Sequence, residues 1–109
     1  MRIWDIPPER LCRQHLLGEH RELHAIWTIL TKNRKGYARH PETMRWKGKL
    51  KALYRVHEDL VAEMKKRGYR HDSPLDDVPA RSKGKQEEFI DTPEDQVKIL
   101  RNKKCGCRV

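Results

Sequence analysis

Residues 14–23 read Gln14-His15-Leu16-Leu17-Gly18-Glu19-His20-Arg21-Glu22-Leu23, and the fold turns on how they divide around a helix. At about 3.6 residues per turn, Leu16, Leu23, Trp27 and Leu30 share one stripe, the natural core face. His15, Glu19 and Glu22 form a second stripe about a quarter-turn away. Arg10, Arg13, Arg21 and His24 crowd a third sector. Gly18 and Ala25, one heptad apart, leave a strip almost bare of side chain. A surface helix needs only an apolar and a polar face, so this one carries something more. It is expected to start at Pro7 or Pro8, with Glu9 near the positive end of its dipole. It should end near Lys32, with Gly36 as C-cap.

Further along, Trp46, Leu50, Leu53, His57, Leu60 and Met64 recur at steps of 4, 3, 4, 3 and 4. That spacing predicts a seam on a second helical region from Pro41 to Arg67, with Gly48 dividing it. Leu53 and Leu60 should pack near Leu23 and Trp27. Arg67-Gly68-Tyr69 reads as a helix end with glycine at C′. Ser73-Pro74 could cap a single turn, and Pro79–Glu88 reads as an irregular loop. Thr92-Pro93-Glu94-Asp95 is a helix start, giving a short helix to Asn102. Lys103–Val109 is expected to fray. No strand alternation is long enough to matter, and the class is all-α, a compact bundle of about three helices. Residues 1–75 form the core; 76–109 supply a loop, the short helix and the frayed tail of the same single domain.

Of 109 residues, 36% are hydrophobic and 38% charged, with a net charge of +9. The excess is unevenly placed. Residues 1–71 hold 17 Lys/Arg against 8 Asp/Glu, and residues 72–109 hold 8 of each. A basic body with a neutral tail suits a polyanionic partner, most simply nucleic acid, although a solvated lysine-rich surface would have the same charge. No apolar run approaches the roughly 18 residues that cross a membrane, and no secretory segment is visible. A soluble, intracellular protein is expected.

The three cysteines are odd in number and poorly spaced for a disulfide framework, which favours reduced thiols. His20 and His24 have the one-turn spacing of a metal clamp, but His15 and Glu19 lie more than a quarter-turn from them on the wheel. Cys105-Gly106-Cys107 lacks a second ligand pair. No metal and no organic cofactor is therefore expected.

The order Gln14-His15-Leu16-x-x-Glu19-x-Arg21-Glu22-Leu23, with Arg2-Ile3 before it, resembles the pyrimidine-dimer DNA glycosylases of the bacteriophage endonuclease V type. A later block, Leu60-Val61-Ala62-Glu63-Met64-Lys65-Lys66-Arg67-Gly68-Tyr69, is similar to that family's later helix, and Lys49-Leu50 and Leu53 fit the same register. The resemblance covers residues 1–75. It implies an amino-terminal segment threaded against the first helix, and a combined DNA repair glycosylase and abasic-site lyase. The substrate would be a damaged pyrimidine, most simply a cyclobutane dimer, in double-stranded DNA, attacked by a monomer. Alternatives are an abasic-site lyase, a glycosylase for another modified base, or a helical DNA-binding module without activity.

The family's nucleophile is an amino-terminal α-amine, a role that falls here on Met1, which the bulky Arg2 should protect from removal. An α-amine titrates near 7.7–8.0, against about 10.4 for lysine, and Arg2 should lower it further. It can attack C1′ of deoxyribose and form a Schiff base. Glu22 matches the catalytic glutamate that stabilises charge at C1′ and moves the C2′ proton. The resemblance assigns Gln14 and His15 to the sugar-phosphate beside the active site. It assigns Arg2 and Arg21 to phosphate, with part of the basic run Arg45–Arg55 joining them. Where the family has another arginine this chain has Ala25, so His24 would supply that contact. Gly18 and Ala25 suggest close helix packing, or else backbone approach to bent DNA. The family's aromatic, basic tail has no counterpart, which leaves specificity for dimers open.

Overall fold

A computed structural model describes residues 2–32, 35–36, 38–70, 75, 87–103 and 105–109. The expected first helix is split. Pro7-Pro8 opens only a 3-10 turn, Pro8–Arg10, after which Leu11 goes extended at φ −82° and ψ 142°. Helix α1 then runs Arg13–Lys32. Two things cause the break. Leu11 turns inward and is 2% exposed. The Arg67 guanidinium donates to the carbonyls of Pro8 at 3.2 Å and Leu11 at 2.6 Å, acceptors that a continuous helix would have used itself. Gly36 does not cap α1 in a left-handed conformation; among the described glycines only Gly48 and Gly68 have positive φ.

The second region divides as its glycine suggested. Helix α2 covers Pro41–Arg45 and helix α3 covers Leu50–Lys66, with Gly48 at φ +76° between them. Helix α3 closes on Gly68 at φ +80°. The Gly68 amide donates to Lys65 O at 3.0 Å and the Tyr69 amide to Met64 O at 2.8 Å, the paired bonds of a glycine-capped helix end. Helix α4, Pro93–Asn102, starts where Thr92 Oγ1 accepts the Asp95 amide at 3.2 Å.

Helices α1 and α3 face each other across one core. Leu16, Leu23, Ile26 and Trp27 meet Leu53, Leu60 and Met64 in it, and Trp46 and Leu100 belong to the same core. Leu30 and Leu50, expected inside, are only partly buried, and Ile26 does what the wheel gave to Leu30. The radius of gyration is 13.7 Å, close to the roughly 13 Å of a compact chain this long. Among the described residues there is no strand, and no helix is long and apolar enough to cross a membrane.

The amino-terminal segment is part of the core. Ile3, Trp4 and Ile6 are buried, and side chains from three helices hold the backbone between them. The Trp4 amide donates to the Glu19 carboxylate of α1. Arg45 of α2 donates to Ile3 O at 2.8 Å and pairs with Asp5 at 3.0 Å. Gln96 of α4 accepts the Asp5 amide at 2.7 Å and returns a bond to Asp5 Oδ2 at 2.9 Å.

The tail does not fray. The Arg108 amide donates to Arg10 O at 2.7 Å, Arg10 Nε donates to Arg108 O at 3.0 Å, and Cys107 and Val109 pack against the core. Composition offers only Val109 as an apolar anchor, so the sequence alone suggested no docking. The turn expected at Ser73-Pro74, and the loop from Pro79 as far as residue 86, lie outside the described residues.

Candidate active site

Glu22 sits at mid-length on α1, half-buried, in the wall of an open cleft of about 700 Å³ that it shares with His24, Ala25, Thr28, Ile29 and His40. Arg21 is exposed and lines a neighbouring hollow with Leu17, His20 and His24. The two clefts meet at His24, so the middle of α1 offers a carboxylate and an arginine to the same side of the molecule. The strip between them is open. A Cβ added at Gly18 would meet nothing within 4 Å, and Ala25 is exposed. Close helix packing is therefore not what these small residues serve.

Glu19, one turn before Glu22, is different. It is 2% exposed, and burial raises its pKa well above the ordinary carboxylate value. The Trp4 amide and the Arg45 charge pull the other way without overcoming desolvation. Its role is to hold Trp4, and hence the segment leading back to Met1. Met1 itself lies outside the described residues.

The remaining expected residues are dispersed. Arg2 is ion-paired with Asp91 at 2.9 Å and lies over the Trp4 ring at 4.9 Å. Gln14 is exposed in the first turn of α1. Arg45, expected on the phosphate-binding run, is 5% exposed and internal. Its Nε donates to Glu42 Oε1 at 2.6 Å, and the same oxygen accepts from Trp46 Nε1 at 3.1 Å. A buried guanidinium must be satisfied by carboxylates and carbonyls, and Arg45 has Asp5, Glu42, Ile3 O and Glu88 O.

Two clusters join histidines to partners that the sequence left apart. His24 Nε2 lies 3.2 Å from Nε2 of buried His57, with the His20 ring 4.6 Å and 5.1 Å from the two rings. The three offer ligand atoms within 4.8 Å of one another. His57 had been read as an ordinary seam position. The second cluster corrects the view that Cys105-Gly106-Cys107 lacks partners. His15 Nδ1 stands 3.1 Å from Cys12 Sγ and 3.4 Å from Cys107 Sγ, and the His15 ring meets Trp4 edge-on at 5.7 Å. Burial, then the charge of Lys103, lowers the His15 pKa and keeps it neutral. The available signal was Cys12-x-x-His15, a one-turn ligand pair on a helix.

A basic helical body, with a carboxylate and an arginine presented side by side over an open groove, is the form of a small helical enzyme of DNA base excision. The family model for pyrimidine dimer DNA glycosylases matches residues 1–77. The chain belongs to that family, whose substrate is DNA. No curated protein and no solved structure matches it.

Proposed function

We propose that the chain is a monomeric glycosylase and abasic-site lyase for damaged duplex DNA, with Met1 as nucleophile and Glu22 as its carboxylate. The observation that carries this reading is the bond from the Trp4 amide to Glu19. Glu19 and Glu22 are separated by about 4.5 Å along the helix axis. The three residue steps from Trp4 back to Met1 span up to about 10 Å, a reach sufficient to bring the amine to the Glu22 cleft.

In the reaction, the α-amine attacks C1′ and the damaged base leaves with the glycosidic electron pair. The C1′–O4′ bond of the resulting glycosylamine then breaks, O4′ taking a proton, to give the ring-opened Schiff base. At a pre-existing abasic site the amine adds to the aldehyde instead, and the carbinolamine loses water to reach the same intermediate. Glu22 stabilises the positive charge at C1′, then removes a C2′ proton so that the 3′ phosphate is eliminated. No metal or organic cofactor takes part in these steps. Arg21 grips phosphate and Gln14 contacts the sugar-phosphate, whereas His15, expected beside it, is set against Cys12 and Cys107. Extrusion of the damaged nucleotide is cheapest where stacking is already weakened. Ala25, standing where the family has arginine, favours a second reading in which the same amine chemistry serves another modified base.

Borohydride reduction during turnover tests both. Trapped protein on dimer-containing duplex, none on undamaged duplex, and loss of trapping when the amino terminus is extended are expected. An extended protein that still traps would transfer the role to a lysine. Trapping on abasic duplex alone would leave a lyase.

A further inference from the structure

We propose that Cys12, His15, Cys105 and Cys107 form a structural zinc site that fastens the carboxy-terminal tail to the first turn of α1. The four ligand atoms lie within 4.8 Å of one another. Tetrahedral zinc, with Zn–S near 2.3 Å and Zn–N near 2.0–2.1 Å, separates its ligand atoms by about 3.3–3.8 Å. The His15 Nδ1 distances of 3.1 Å to Cys12 Sγ and 3.4 Å to Cys107 Sγ need only small side-chain adjustments to meet that geometry.

The donor set identifies the metal. Three thiols and an imidazole are soft to borderline ligands that select zinc over magnesium or calcium. All four positions are filled by protein, which marks a structural site rather than one keeping a place for water. All three cysteines are free thiols, and with three of them any disulfide would leave one over. The Cys12 amide already donates to Cys107 Sγ at 3.1 Å, the kind of second bond that steadies a metal-bound sulfur. Binding one Zn²⁺ releases the three thiol protons to solvent, while neutral His15 gives its Nδ1 lone pair. The bound set carries one negative charge beside Arg10, Lys103 and Arg108, which belong to the segments that supply the ligands.

The site is separate from the glycosylase chemistry and stands or falls on its own. The test is a titration of the reduced full-length protein with Co²⁺, followed by displacement with Zn²⁺. One equivalent should bind with a thiolate-to-cobalt charge-transfer band in the near ultraviolet. The band should vanish in Cys107→Ser and in Cys12→Ser, and persist in His57→Phe. Native mass spectrometry of the unsubstituted protein should show one zinc, and chelation should expose residues 105–109 to carboxypeptidase. These measurements need no variant to fold. Cobalt bound without the charge-transfer band would place the metal on His20, His24 and His57 and overturn the proposal. So would absence of binding, or a Cys12–Cys107 disulfide that survives reductant.

Discussion

At Glu19 a carboxylate is buried against the Trp4 backbone, while one turn on Glu22 opens to the cleft, and the two should respond differently to loss of charge. Glu22→Gln keeps the shape but not the base. Strand cleavage of abasic duplex should fall by about 10²–10⁴, with duplex binding retained in a gel-shift assay. The folded pKa of Glu19 stands above the roughly 4.3 of the unfolded chain. Between those two values the folded state holds the extra proton, so stability falls as pH rises through that window and stays lowered above it. Glu19→Gln keeps an acceptor for Trp4 and removes this penalty. Urea midpoints from pH 4 upward should decline less than in the unsubstituted protein and be no lower at pH 7; an unchanged decline would assign the effect elsewhere. The sequence placed both glutamates on one stripe correctly. It could not separate them, because the burial of Glu19 comes from a segment that meets it only in the folded molecule.

At the scale of elements, α3 was the most legible part. The steps of 4 and 3 that run from Trp46 through it mark Trp46, Leu50, Leu53, His57, Leu60 and Met64, of which all but the half-buried Leu50 are buried. Leu53 is 0% exposed against α1, so Leu53→Ala should cost about 2–5 kcal/mol. Thermal melting checks this, and an unchanged Tm would remove Leu53 from the core. The split ahead of α1 was not legible. Pro-Pro is equally compatible with a helix start and a 3-10 turn, and the group that decides between them is Arg67, 56 residues away from Leu11. The tail was hidden for the same reason, since Cys12 and His15 acquire meaning only when Cys107 is beside them.

For the whole molecule, the charge asymmetry predicted a basic body, but not which cations face outward. Arg45 belongs to the interior and Arg2 is engaged with Asp91, whereas Arg21 is exposed in the hollow that meets the Glu22 cleft at His24. Binding to undamaged duplex should weaken steeply with salt, and Arg21→Ala should lower the slope of log affinity against log salt by about 0.9. An unaltered slope, read by fluorescence anisotropy, would take Arg21 off the DNA face.

The anchoring of Asp5 by Gln96 also bears on how the chain is made. During synthesis α1 and α3 can pair soon after they leave the ribosome, because their contacts join residues within the first two thirds of the chain. The amino-terminal segment emerges first, yet one of its moorings lies 91 residues further along, in α4, and Arg10 waits longer still for Arg108. A nascent chain would therefore carry the segment around Asp5 incompletely seated until α4 has emerged. A product truncated before α4 would keep the core residues of α1 and α3 but lack this mooring.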